Sequence, residues 1–315
     1  MHATTATRLS ALRPSASAGS GVSGLSGRLA AGLLALLAGT AAALAQPSGD
    51  VRRGEYIFHA AGCASCHSQE EGKGPPLAGG LALKTPYGTF YTPNITPDPV
   101  HGIGKWSEAD FRRALKEGVA PDGSLYYPAF PYTSYTGMAD QDVGDLFAYL
   151  KTQAPSDLAS KPHELDFPYG WRFLMRGWRL AFFKPGRSLV RQDQPADVQR
   201  GAYLVGSVTH CGECHTPRNF MGALDYDRWL SGAEKAATGT DSVPNITPDP
   251  KTGIGDWTED NILDLLTDGS TPDGDRVGGE MVNTVRNSSS QMTDEDRKAI
   301  AHYLKTVKPI EHATP

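Results

Sequence analysis

Two copies of one five-residue pattern, Cys63-Ala64-Ser65-Cys66-His67 and Cys211-Gly212-Glu213-Cys214-His215, use every cysteine of the 315-residue chain. Two thiols one helical turn apart can add to the two vinyl groups of a single porphyrin, and the next histidine then turns its imidazole onto the iron. The pattern therefore reads as a c-type haem attachment site. The pair implies two c-type haems, linked through Cys63, Cys66, Cys211 and Cys214, with the iron of each held by His67 or His215. A disulfide framework gives no reason for a histidine after each pair, and a zinc site gives none for two identical, distant units. A redox dithiol would need one such motif in a βαβ context. Whatever the fold, it must bury and place two porphyrins.

Haem attachment of this kind belongs to exported proteins, and residues 1–45 read as an export signal. Arg8, Arg13 and Arg28 precede an apolar stretch, Leu29 to Ala45, that ends in Ala43-Leu44-Ala45 before Gln46. An uncleaved membrane anchor is the competing reading, but small residues dominate the stretch and it sits near the lower length limit for spanning. Losing those three arginines and no acids takes the formal net charge from −5 to −8. That balance argues against nucleic acid and suits a basic or mixed-charge docking partner.

The motifs sit inside an internal duplication. Asn94-Ile95-Thr96-Pro97-Asp98-Pro99 recurs as Asn245-Ile246-Thr247-Pro248-Asp249-Pro250, and Gly102-Ile103-Gly104-Lys105-Trp106 as Gly253-Ile254-Gly255-Asp256-Trp257, at an offset of 151. Pro121-Asp122-Gly123 and Pro272-Asp273-Gly274 keep the same offset. Gly54-Glu55-Tyr56 matches Gly201-Ala202-Tyr203, and Ala148-Tyr149-Leu150-Lys151-Thr152 matches His302-Tyr303-Leu304-Lys305-Thr306. The expected organisation is domain one over 46–152, a linker over 153–197, domain two over 198–308 and a tail over 309–315.

Each copy should open with a helix leading into its haem motif and close with an amphipathic helix. The closing helices are expected over Asp140 to Lys151, with Val143, Leu146, Phe147 and Leu150 on one face, and over Asp294 to Lys305, with Ile300, Tyr303 and Leu304. Thr293 is the expected N-cap of the second, and Ser107 and Thr258 should cap a short helix after each tryptophan. Almost no stretch alternates as a strand should, so the fold class is all-α.

These segments, with Leu125 to Tyr132 and Cys211 to Asn219, resemble class I cytochrome c domains. The likeness is to the cytochrome subunits of periplasmic, membrane-associated dehydrogenases of the alcohol and gluconate types, and it covers most of residues 50–310. It implies two tandem domains joined by the aromatic-rich linker. It also implies a role in passing single electrons from a dehydrogenase to another cytochrome or a terminal oxidase, with no catalytic residues of its own. The expected place is the periplasm, free or attached peripherally to the outer face of the inner membrane. Many such subunits carry three haems, whereas this chain has two motifs.

Carriers of this kind usually complete the iron with a methionine sulfur. Met281, 66 residues after His215, stands where the family places its ligand loop. The offset of 151 sets Phe130 opposite it, and a phenyl ring cannot ligate iron. For the first haem Met138 is the nearest substitute, although it aligns with Met292, ordinarily a core position; His59, His101 or an open site are the alternatives. Within Gly74-Pro75-Pro76-Leu77, which resembles the class I loop, Pro75 is the candidate carbonyl for the other ring nitrogen of His67. Trp106 and Trp257 either line the haem pockets or fill the core.

The linker turns apolar between Trp171 and Phe183, with Arg172, Arg176 and Arg179 interleaved. It reads as a strap between the domains, with a dehydrogenase docking patch or an interfacial membrane contact as the sharper alternatives. His163, His302 and His312 read as surface histidines. A dihaem peroxidase, in which one haem lacks a sixth ligand, is the rival function kept open by Phe130.

Overall fold

A computed structural model describes residues 49–69, 73–235 and 242–312; the expected export signal lies outside them. The described residues belong to one compact unit, Gln46–Pro315. The first repeat contributes α1 (Val51–Ala60), α2 (Cys63–His67), α3 (Glu108–Glu117), α4 (Tyr132–Tyr135) and α5 (Asp140–Leu150). After α6 (Leu174–Phe182) in the linker, the second repeat supplies α7 (Ala196–Tyr203), α8 (Gly212–His215), α9 (Glu259–Asp268), α10 (Glu280–Asn287) and α11 (Asp294–Thr306). Five helices of one repeat thus answer five of the other in the same order.

Local chemistry explains the boundaries. Ser107 caps α3 and Thr258 caps α9, each in a reciprocal capping box with the residue three further on, Asp110 or Asn261. Both helices stop at a glycine with positive φ, Gly118 at 64° and Gly269 at 84°, a conformation that costs glycine nothing. Thr293 caps α11 through a bond from the Asp296 amide. The expected apolar faces of α5 and α11 are buried, Val143 and Leu146 in the first and Ile300 and Leu304 in the second.

One register change between the repeats has a visible cause. Gly54 and Gly201 stand 147 apart, but Cys63 and Cys211 stand 148 apart, so the second opening helix holds one more residue. The chain absorbs it as a π-helical turn, Leu204–Val208, whose wider loop takes the insertion without breaking the helix.

The all-α expectation needs one amendment: the fold is mostly helical with a small sheet. Strands β1 (Ala82–Thr85) and β2 (Gly88–Tyr91) form a hairpin around Pro86-Tyr87, and β3 (Glu164–Leu165) from the linker adds to β2, all antiparallel. At four, four and two residues these strands are too short for an alternation to stand out. The third pairing depends on Gly88, because a Cβ there would lie 2.5 Å from the Glu164 carbonyl oxygen.

The linker is a strap on one face and exposed on the other. Trp178 and Phe183 bury themselves with Tyr132 and Ala223, bringing residues of both repeats onto the strap. The Trp178 indole N–H donates to the Met221 carbonyl at 2.9 Å. Phe167, Trp171, Phe173 and Leu180 remain exposed. Among the described residues no helix is long and apolar enough to cross a membrane.

The repeats themselves meet across a seam of reciprocal contacts. Tyr56 donates its hydroxyl to Asp296 of the second repeat, and Tyr203 donates to Asp142 of the first, both at 2.5 Å. Each carboxylate also pairs with an arginine of its own repeat, Asp296 with Arg200 at 2.6 Å and Asp142 with Arg53 at 2.7 Å. Burial and the Asp296 carboxylate push the Tyr56 hydroxyl up to about 12, so it stays a donor at neutral pH. Burial opposes ionisation of Asp296, yet the Arg200 guanidinium holds it below its ordinary value.

The opening and closing helices of each repeat cross at a glycine. A Cβ on Gly54 would lie 1.9 Å from the Asp145 carbonyl oxygen, and one on Gly201 would lie 2.0 Å from that of Ala299. Helix propensity favours alanine over glycine by about 1 kcal/mol, but forcing a methyl into a closed contact costs roughly 1–3 kcal/mol. Contact with a backbone oxygen cannot be relieved by a rotamer, so the second effect wins. Gly201→Ala is expected to lower the denaturant midpoint of unfolding; a rise would contradict the packing described.

Candidate haem-attachment site

Each Cys-x-x-Cys-His pattern forms one short helical turn entered from a left-handed residue. Gly62 does this at φ 61° before Cys63, and His210 at φ 43° before Cys211. Glycine adopts that conformation freely, whereas histidine carries strain there. His210 is held by its ring: Nε2 lies 3.3 Å from the Ala61 carbonyl of the first repeat, and the ring packs edge-on to Tyr135.

None of the four cysteines, all among the described residues, is joined in a disulfide, which leaves each Cys-x-x-Cys pair for a porphyrin. In both turns the first cysteine is half-buried and the second exposed, as Cys63 and Cys66, then Cys211 and Cys214. Burial, reinforced by Cys66, pushes the Cys63 thiol up to about 12, and burial raises Cys211 as well.

His67 Nδ1 lies 2.8 Å from the Pro93 carbonyl oxygen, and His215 Nδ1 lies 2.9 Å from that of Pro244. A carbonyl can only accept, so Nδ1 carries the proton in each ring and the Nε2 lone pair is left for a metal. Burial lowers both histidine pKa values in spite of that bond, which keeps the rings in the neutral, ligating form. This corrects the expectation for Pro75: the accepting carbonyl is Pro93, which directly precedes the Asn-Ile-Thr-Pro-Asp block. The same position in the second repeat, Pro244, does the same, although that repeat lacks a Gly-Pro pair.

The repeated block exists to hold that carbonyl. Asn94 is buried, and its Oδ1 accepts from the Thr96 amide at 2.9 Å and hydroxyl at 2.7 Å. Its Nδ2 donates to the Ser156 carbonyl at 2.9 Å. Asn245 repeats the arrangement with Thr247 and with the Ile310 carbonyl at 2.7 Å. The histidine turn is tied from its other side too. Leu77 and Leu230, at φ 60° and 63°, sit buried in the left-handed region. Their amides donate to the Ser68 and Thr216 hydroxyls, which directly follow the two histidines. Backbone strain that recurs at equivalent points of two repeats marks where the loop is forced to pass the histidine.

The methionines divide. Met281 is half-buried at the start of α10, after Gly279 at φ 56°. Met138 is fully buried in the main core, as is Met292, and each stands one residue before the N-cap of its closing helix. Phe130 packs between Tyr126 and Tyr135, with ring centroids 5.6 and 5.9 Å away. Trp106 and Trp257 are half-buried at the edge of the main core. His163 packs against Phe90, and His302 bridges Asp197 and Glu259 on the surface. His312 Nδ1 lies 2.8 Å from the Ser231 carbonyl.

Sequence reasoning missed three residues here: Pro93, Pro244 and Glu213. The two prolines were findable, because both occupy the position just before the repeated block. Glu213, inside the second pattern, is buried and pairs with Arg218 at 2.6 Å. Its burial cannot be read from a motif whose middle positions admit any residue.

Losing the Asn245 amide should leave the buried Thr247 amide without its acceptor and take the shortest donor from the Ile310 carbonyl, at a cost on the order of 1–3 kcal/mol. Asn245→Ala is expected to reduce stability in chemical denaturation by that amount. An unchanged midpoint would show that the block does not brace the loop.

Residues 51–154 and 198–308 both match the family described as cytochrome c. A diheme cytochrome c-type protein of Cereibacter sphaeroides is 49% identical over 267 residues, covering 84% of this chain and 88% of that protein. The fructose dehydrogenase cytochrome subunit of Gluconobacter japonicus is 39% identical over 270 residues, 85% of this chain and 54% of that subunit. The gluconate 2-dehydrogenase cytochrome c subunit of Pantoea cypripedii is 38% identical over 292 residues, 87% of this chain and 64% of that subunit. The chain thus spans only about half to two thirds of these two dehydrogenase subunits.

Proposed function

Since the chain belongs to the cytochrome c family and its cofactors are haems, we propose that it is a dihaem electron carrier of the periplasm. It takes single electrons from a dehydrogenase and delivers them to another cytochrome or a terminal oxidase of the respiratory chain, free or held at the outer face of the inner membrane. The relatives named as dehydrogenase cytochrome subunits support the donor class. The apolar stretch ending at Ala45 supports export.

The observation that carries the reading is the pair of neutral imidazoles, each with Nδ1 committed to a proline carbonyl and Nε2 available. Cys63 and Cys66 hold one porphyrin with His67 as its iron ligand, and Cys211 and Cys214 hold the other with His215. Haem, once bound, supplies reversible one-electron chemistry. The chain supplies ligands, burial and placement, and needs no acid–base pair.

Met281 is the sixth ligand of the second haem. Its half-buried position in the first turn of α10, 66 residues after His215, supports this reading. For the first haem Met138 is the sulfur assigned, with Phe130 occupying the place of Met281. A phenyl ring there also favours the second reading, an open first haem of the peroxidase type.

Met281→Ala is expected to change the spectrum of one haem and lower its potential, because thioether ligation favours the ferrous state. Two unchanged haems would overturn the assignment. Met138→Leu separates ligand from core residue at the first haem, where a carrier should show two low-spin haems that turn over no peroxide. A high-spin haem in the native protein that binds cyanide and consumes peroxide would select the enzyme instead.

A further inference from the structure

The two attachment turns are not independent, because each is gripped by the other repeat. In the second turn the buried Glu213 carboxylate accepts from Ser134 at 2.6 Å and from Thr133 at 3.0 Å, both on α4 of the first repeat. In the first turn the Ser65 hydroxyl accepts from Asn287 at 3.2 Å, on α10 of the second repeat. Ser288, next to it, donates to the Ala60 carbonyl at 2.7 Å.

These contacts obey the pseudo-symmetry of the repeats. Ser65 and Glu213 hold the same place between their two cysteines, and Thr133-Ser134 and Asn287-Ser288 stand the same 154 residues apart as Asp142 and Asp296. The gripping helices are not arbitrary ones. α4 lies between Phe130 and Met138, and α10 begins at Glu280-Met281, so each belongs to the segment that carries the sixth ligand proposed above for its own repeat.

We propose that Glu213 and Ser65 are positioning residues that lock the attachment turn of each repeat to the ligand segment of the other, so that the surroundings of each iron are set jointly by both repeats. Glu213 is the stronger half of this clamp. A charged acceptor makes shorter, stronger hydrogen bonds than a hydroxyl, and Arg218 closes the cluster by donating to both the Glu213 side chain at 2.6 Å and its carbonyl at 2.9 Å. A buried carboxylate deprived of these partners would be costly, which makes the geometry all-or-none. His210, on the Ala61 carbonyl, adds a parallel tie between the chain segments entering the two turns. Disturbing the clamp on either side therefore reaches both haems, although Thr133 and Ser134 lie outside both attachment patterns.

The proposal rests on the haem assignment above, and the native protein tests that separately, since it must show two one-electron waves. The experiment is a spectroelectrochemical titration of the mature holoprotein in four forms: native, Glu213→Gln, the double variant Thr133→Val/Ser134→Ala, and Tyr56→Phe. Tyr56 lies in the seam between the repeats, and its hydroxyl bonds Asp296 and Thr293, which lie outside both turns and beside neither Met138 nor Met281. The clamp predicts that both midpoint potentials shift in Glu213→Gln and in the double variant, and that neither shifts in Tyr56→Phe. Movement of one potential alone in the clamp variants would overturn the proposal. Movement of either potential in Tyr56→Phe by as much as in the clamp variants would also overturn it, by assigning the effect to the seam in general. Should Glu213→Gln fail to retain haem, the Thr133→Val/Ser134→Ala protein, which keeps every motif residue, decides alone.

Discussion

Everything chemical in this molecule depends on a proline carbonyl that accepts the Nδ1 proton of a histidine, once in each repeat. That bond selects the tautomer, aims the ring and leaves the other nitrogen as a donor of electrons. A carbonyl on a free loop would not do this reliably. Here the loop is braced by an asparagine that folds back on its own Thr and reaches across to the chain after the closing helix. The same Asn therefore joins the far end of the repeat to its haem turn, and packing of the closing helix becomes part of the site.

Duplication explains which features are shared and which have diverged. Glycine crossings, capping boxes, proline carbonyls, left-handed leucines and the Tyr–Asp–Arg seam occur twice at matching positions. The repeats differ in the small sheet of the first, in the π-helical turn of the second, and at three aligned positions in or near the attachment and proposed ligand segments. Phe130 stands where the second repeat has Met281, Glu213 where the first has Ser65, and His210 where the first has Gly62. The helical scaffold and the bracing of the histidine turn recur in both repeats, while the side chains at these aligned positions have diverged.

Much of this was legible in the sequence because the signals were local or repeated. The Cys-x-x-Cys-His patterns, the caps at Ser107, Thr258 and Thr293, and the apolar faces of α5 and α11 follow from short-range chemistry. The hairpin at Pro86-Tyr87 was hidden because four-residue strands carry almost no periodicity, and β3 pairs with residues 75 and 77 positions earlier in the chain. The Gly-Pro pair points to Pro75 because it resembles the class I loop, and only the fold shows that the carbonyl reaching the ring belongs to Pro93. The seam was illegible for a different reason: Tyr56, Asp142, Tyr203 and Asp296 look like ordinary surface residues until two repeats are placed face to face.

The central claim is that both turns hold a covalently attached haem, and the most direct measurement is the intact mass and Soret spectrum of the mature protein from a host competent in cytochrome maturation. The account predicts the polypeptide mass plus two haems, with all four thiols consumed and a strong Soret band. A polypeptide bearing no porphyrin, or four titratable thiols in the isolated protein, would contradict it.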